Sequence, residues 1–283
     1  MIRSFDDPAG KNPDQFSPRA LLQFLERQLS QTRRVTGTKA DAAQQLVYDA
    51  WEAATGEEEQ ALIFSALKLD PMNVDALLQA AVYAGLDGEE EIEYLRQVEA
   101  AGEKSLGPKA FKEFAGHFWG FIETRPYMRA RARLAEALRH AGRLEEAIAE
   151  WNTMLELNPG DNQGIRYLLL PTVLTLNRLE AARKLFEAYP GESEFNTVFA
   201  WGRVLERFLS DDLPGAVTAL EVARKQNSHM QAYVKRHRSL PRGLPEAYAP
   251  GSKEEAICYA EVLRAAWEKH PAALKWLEAQ KMK

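Results

Sequence analysis

A turn-forming residue stands five places before an alanine at Gly142 and Ala147, at Asn177 and Ala182, and at Asp211 and Ala216. Four places beyond each alanine comes a large apolar residue: Trp151, Phe186 and Leu220. Four-residue spacing keeps two side chains on one face of a helix. A chain built on this register is committed to helical hairpins. The turn residue marks the reversal, and the small residue is where two antiparallel helices approach closely. A single hairpin of this kind cannot bury its own apolar face, so it needs neighbours. Nowhere do Val, Ile and Thr alternate with polar residues over a useful strand length, while Ala, Leu and Glu are abundant, which also favours helix.

The sharpest unit is residues 128–161. Leu134 and Leu138, with Ala135, form the apolar face of its first helix; Ala147, Trp151 and Leu155 share a face of the second, and Pro159 stops it. Looser copies follow. One runs through Ile165, Leu168 and Leu169 to Ala182 and Phe186, ending at Pro190-Gly191, with Pro171 expected to kink its first helix. The next carries Phe199, Trp201 and Leu205, then Ala216, Leu220 and Ala223. Upstream, Leu46, Ala50, Gly56, Ala61 and Pro71 give a short version whose second helix is about two residues under length; Leu77, Leu78, Ala81, Gly88, Ile92 and Leu95 give a degenerate one.

Ser17 can cap a first helix that starts at Pro18, presents Leu21, Leu22, Leu25 and Leu29, and ends near Arg34. Residues 1–16 are read as a flexible arm and 17–102 as the first helix with degenerate repeats. Residues 103–127 are read as an aromatic-rich connecting helix, 128–230 as the repeats proper, and 231–283 as a terminal loop with capping helices. In that last stretch three prolines punctuate residues 238–251, Ser252 with Glu255 makes a capping box, and Ile257, Leu263 and Trp267 face the core.

Leu134, Ala135, Gly142, Ala147, Trp151 and Pro159 resemble the tetratricopeptide repeat pattern in order, spacing and length. Arg131 stands where that pattern has a tryptophan, and Met154 where it has a second small residue. The resemblance implies an all-α fold, a right-handed superhelical solenoid of antiparallel helix pairs, here about five hairpins and a terminal cap. It also implies a concave face lined by the first helices, on which a protein or peptide is recognised. The stretch 125–270 further resembles the suppressor of tumorigenicity seven family, through the hairpin above and through Asn227, His229, Tyr233, Leu240, Pro241, Pro245, Gly251, Glu255, Ala256, Tyr259 and Ala260. Animal members of that family carry membrane-spanning segments; no apolar run of that length exists here, and that part does not carry over.

Cys258 is the only cysteine, so a disulfide-dense fold and a cysteine-rich zinc site are excluded. The opening residues have no apolar run, so no secretory leader and a cytoplasmic location are expected. The net charge of −5 disfavours a generic nucleic-acid surface. It conceals a division: six arginines face one glutamate between Arg125 and Arg143, and twelve acids face Lys68 and Arg96 in residues 57–103. Such asymmetry can steer an acidic partner or drive self-association.

In the repeat frame the groove positions are Arg129, Ala132, Glu136 and Arg139, then Gln163 and Arg166, with Asn162 near the rim and Arg125 at the break before the first helix. Guanidinium forks suit a carboxylate or an acidic peptide. The competing reading makes these arginines a solvated face with internal glutamate partners. Phe118, Trp119, Phe121 and Tyr127 are read as packing rather than a ligand cage.

An enzyme is not expected: the histidines at 117, 140, 229, 237 and 270 are scattered, and no metal motif, nucleophile elbow or phosphate loop occurs. No cofactor or metal is therefore expected. The expected function is non-enzymatic recognition of a protein or peptide, with an acidic segment favoured and no membrane involved. The alternatives are structural self-association into a homo-oligomer, and RNA binding through His229, Lys235, Arg236, His237, Arg238 and Arg242, interleaved with Tyr233.

Overall fold

The computed structural model describes residues 17–30 and 36–280. The expected arm at 1–16 and the expected end of the first helix near Arg34 lie outside the described residues. Regular structure among the described residues is helical throughout, with no strand. The chain divides into two compact units, Met1–Asn162 and Gln163–Lys283. That boundary lies inside the stretch 128–230 expected as the repeats proper. The division falls in the Asn-Pro-Gly-Asp-Asn-Gln-Gly sequence at 158–164. Asp161 and Gly164 there have left-handed backbone, with φ of 45° and 72°, which ends regular structure.

The first unit contains α1 (Pro18–Ser30), α2 (Thr38–Trp51), α3 (Gly56–Leu69), α4 (Val74–Tyr83), α5 (Gly88–Glu113), α6 (Arg125–His140) and α7 (Leu144–Leu157). Helices α2 and α3, and α6 and α7, pack as hairpins; α4 packs on α5, and the first helices α2, α4 and α6 touch in succession. Local chemistry sets the starts. The Ser17 Oγ accepts from the Ala20 N–H at 3.3 Å, the Thr55 Oγ1 from the Glu58 N–H and the Asn73 Oδ1 from the Ala76 N–H, each satisfying an otherwise orphaned donor. Leu21 and Leu25 are buried as expected.

The first hairpin departs from the expected register. Its core line is Ala43, Val47 and Ala50 against Ile63, Ala66 and Leu67, whereas Leu46 is half-buried and Ala61 exposed. Helix α3 has 14 residues, as many as α7, and is not short. The reason is the cap: Thr55 starts the helix, so Gly56 is its first residue rather than the turn. In the next hairpin Leu77, Ala81, Ile92 and Leu95 are buried, and the chain reverses at Gly85.

Helix α5 runs to Glu113, so the lengthened helix expected in 103–127 exists in its first half, broken by non-helical backbone at Gly107 before Pro108. Two 3-10 turns, Phe118–Gly120 and Ile122–Thr124, fill the rest. In the strong hairpin Leu134, Ala135, Leu138, Ala147 and Trp151 are buried, Leu155 only half so, and Met154 closes the face at 1% exposure.

The second unit contains α8 (Arg166–Thr175), α9 (Leu179–Ala188), α10 (Glu192–Phe195), α11 (Thr197–Leu209), α12 (Leu213–Gln226), α13 (Met230–Val234), α14 (Lys253–Glu268) and α15 (Pro271–Ala279). Helix α8 packs on α9, α11 on α12, and α14 against α8, α11, α13 and α15. Phe199, Trp201, Leu205, Ala216, Leu220, Ala223, Leu263 and Trp267 are buried. Pro171 lies inside helix α8. Ser252 caps α14, its Oγ accepting from the Glu255 N–H.

Four reversals share one geometry. At Gly85, Gly142, Asn177 and Asp211 the backbone is left-handed, with φ of 62°, 76°, 56° and 58°. At each, the N–H of that residue and of the next donate back to the carbonyls three and five residues earlier; Gly142 donates to Arg139 and Arg143 to Leu138. This double bond pattern closes a helix by satisfying its last carbonyls. Glycine takes the left-handed region without a Cβ clash. Gly142→Ala is expected to cost about 1 kcal/mol, while Asp211→Gly is expected to leave stability unchanged or raise it; urea unfolding of both variants measures the pair.

Candidate functional site

The acidic and basic stretches meet inside the first unit. Arg129 on α6 holds Asp75 on α4 with two forks, its Nε 2.8 Å from Oδ1 and its Nη2 2.5 Å from Oδ2. The Asp75 side chain is 1% exposed and also accepts from the Gln44 Nε2 on α2. Asn73 donates to the Gln44 Oε1, and the Trp51 ring lies 5.4 Å from the Arg129 guanidinium. Residues of α2, α4 and α6 are thereby joined in one hydrogen-bonded line.

Two residues along α6, Arg131 is sandwiched between Glu99 of α5, to which its Nη2 donates, and Glu150 of α7, 3.1 Å from its Nη1 but off the N–H direction. Its Nε donates to the Tyr127 hydroxyl. Burial opposes the charge on Arg131, but Glu99, Tyr127 and Glu150 outweigh it and hold its pKa above the ordinary value. Burial pushes the Glu150 carboxyl up, with Arg131 acting against it, and pushes the Tyr127 hydroxyl up to about 12. Nearer the surface Arg133 pairs with Glu91, Arg143 with Glu89, and Arg96 with Glu146. Exposed pairs like these contribute about 0–1 kcal/mol each, so Arg129 and Arg131 dominate the seam.

The expected groove residues divide between the two units. In the first, Arg125 donates to the Trp119 carbonyl at 3.0 Å, Arg139 pairs with Glu136 on its own helix, and Asn162 is exposed, its Oδ1 accepting from the Asn158 Nδ2. In the second, Gln163 is half-buried, and Arg166 donates to the Tyr167 hydroxyl and to Glu192, its guanidinium 4.2 Å from the Tyr167 ring. The structure thus gives every one of these arginines an internal acceptor. Asp75, Glu136 and Glu192 would compete with an acidic ligand for Arg129, Arg139 and Arg166. The sequence offered no means of pairing Arg129 with Asp75, because 54 residues separate them.

Phe118 and Tyr127 are buried and pack with Phe111, as packing aromatics do. Their neighbours differ: Phe121 stacks on Phe114 at 4.1 Å yet is 38% exposed, and Ile122 is 61% exposed. Beside them opens a cavity of about 500 Å³ whose walls include Gln44 and Tyr48 of α2, Asn73 and Val74 at the start of α4, Ser105 of α5 and Tyr127 of α6. Sequence reading did not find it, since its walls come from four separated segments.

Of the remaining candidates, Tyr233 is buried, Arg236 is held by Glu268, and Arg238 and Arg242 are exposed. His117 is exposed; the His270 Nε2 lies 2.8 Å from the Leu174 carbonyl. Burial, with Glu255 and Glu254, pushes the Cys258 thiol up, opposite to what a reactive cysteine needs. Among the described residues no group of three or more His, Cys, Asp or Glu is placed to hold a metal ion, and no helix is long and apolar enough to cross a membrane. No family model and no curated protein matches the chain.

Proposed function

We propose that this chain is a non-enzymatic helical-repeat protein that recognises a protein or peptide segment, with each unit a short tetratricopeptide-like stack of hairpins. The observation that carries this is the shared register. In the hairpins α6–α7, α8–α9 and α11–α12, a left-handed residue at 142, 177 or 211 is followed five places later by a fully buried alanine, 147, 182 or 216. Stacked hairpins of constant register leave an extended face on their first helices, and such faces serve recognition. In the first unit that face is made by α2, α4 and α6, and the cavity opens on it. Arg129, Arg131 and Arg133 of α6 join hairpins by pairing with α4, α5 and α7; recognition falls to the residues around the cavity.

A photoreactive phenylalanine analogue in place of Tyr48, on the cavity wall, tests this against the same analogue in place of Glu156, exposed on α7. In extract of the protein's native cells, discrete adducts are expected from position 48 and none from position 156. Equal adducts from both positions, or none from either, would overturn the proposal.

A further inference from the structure

We infer that the cavity of the first unit binds a peptide segment carrying a lysine or arginine next to an apolar residue. The inference deepens the recognition reading and rests on it. Three carboxylates line the cavity, Asp41, Asp70 and Glu123, and no Lys, Arg or His does so among the described residues. In a seam where the arginines of α6 are all paired, Asp41 and Glu123 are the reverse. Both are exposed and neither forms an ion pair or side-chain hydrogen bond with any described residue.

They also sit on different segments, Asp41 in the first turn of α2 and Glu123 in the second 3-10 turn, so a cation in the cavity can be approached from two walls. A guanidinium or ammonium in a partly enclosed volume is attracted to carboxylates on its walls more than it would be in open water.

An independent observation concerns the rim. Ile122, which lines the cavity, is the most exposed large apolar residue among the described residues of the first unit at 61%, and Phe121, next to it in the chain, is 38% exposed. An apolar side chain left in water on the wall of a concave site marks a contact surface for another molecule. The volume, about 500 Å³, lies within the range of sites that take a few side chains. Acid within and apolar at the mouth together specify a basic residue with an apolar neighbour, and disfavour an acidic segment.

The probe is a fluorescein-labelled hexapeptide of alternating leucine and lysine, followed by anisotropy at low and high salt. Its controls are the same peptide with glutamate for each lysine and with norleucine for each lysine. The leucine–lysine peptide alone is expected to bind, and to weaken as salt rises, because the contacts are partly exposed charges. D41K/E123K is expected to weaken it by more than about tenfold and Ile122→Glu to weaken it by several-fold, with helical circular dichroism unchanged. Equal binding of the leucine–lysine peptide to wild type and D41K/E123K, or preferential binding of the glutamate peptide, would overturn the inference. Adducts at position 48 without lysine-peptide binding would leave the recognition reading standing and remove this one.

Discussion

Arg131→Met is expected to destabilise the first unit by about 3–5 kcal/mol at neutral pH, the usual cost of removing one member of a buried ionic group. The Arg131 side chain is 13% exposed and those of Glu99 and Glu150 15% each. With the guanidinium gone, two largely desolvated carboxylates face one another and the Tyr127 hydroxyl loses its donor. The penalty has a sign in pH. Burial already raises the Glu150 pKa above the ordinary carboxylate value, against the pull of Arg131. The folded state therefore binds that proton more readily than the unfolded chain, and ionisation of Glu150 costs stability as pH rises from its unfolded to its folded pKa. Without Arg131 the folded pKa moves higher still. The loss caused by the substitution is thus greatest near neutrality and shrinks as pH falls into the carboxylate range.

Urea unfolding of wild type and variant across that range measures it. Removing the whole group behaves differently from breaking it, because neutral side chains need no counter-charge. The triple variant R131M/E99Q/E150Q is accordingly expected to recover most of the stability and to lose the pH dependence. A constant difference across pH, or a triple variant no better than the single, would show that Arg131 acts by packing alone. Its position gives the result a wider meaning. Arg131 lies between α5 and α7, so a charged cluster fills space at the packing of three helices.

What the sequence disclosed follows from the range of the interactions concerned. The reversals at Gly142, Asn177 and Asp211 and the caps at Ser17 and Ser252 depend on residues within five places of one another, and all lie where the local pattern puts them. The buried faces of α6, α7, α11 and α12 were legible because 3.6-residue periodicity survives in the sequence. The register of α2 and α3 was not, because Thr55 and Gly56 are both plausible boundary residues and the hydroxyl cap decided between them. The candidate site was least legible. Arg129, Arg139 and Arg166 are forks suited to a carboxylate, as expected, but each carboxylate they hold belongs to the chain itself. Asp75, Glu99 and Glu91 reach α6 from 32 to 54 residues away, and no local pattern encodes such pairings. Asp41 went unnoticed for the same reason.

Glu255→Ala is expected to cost about 2–4 kcal/mol, since it strands two backbone N–H groups and takes an acceptor from two side-chain amides that converge on one carboxylate. The Glu255 side chain, in a residue 1% exposed, accepts from the Thr197 N–H at 3.0 Å through Oε1. Its Oε2 accepts from the Gly251 N–H at 2.7 Å, the Asn227 Nδ2 at 3.1 Å and the Gln226 Nε2 at 3.2 Å. A capping box returns the glutamate to the N–H of its own capping residue; here Ser252 caps Glu255, but the carboxylate goes one residue further back and ties together the start of α11, the end of α12 and the approach to α14. Gly251 fits this closely: its φ is 78°, and a Cβ there would lie 2.7 Å from the Gln226 carbonyl oxygen. An ionised carboxylate has only acceptor sites, which is what four converging donors require. Glu255→Gln turns one oxygen into a donor facing donors and is expected to cost about 2 kcal/mol. Because the hub anchors the loop that precedes α14, the alanine variant is also expected to speed tryptic cleavage at Arg238 and Arg242, both exposed on that loop, and to raise amide exchange at Thr197 and Gly251. Stability within about 1 kcal/mol of wild type, with exchange at both amides unaltered, would mean that water replaces the carboxylate at no cost and that the loop is held by other contacts.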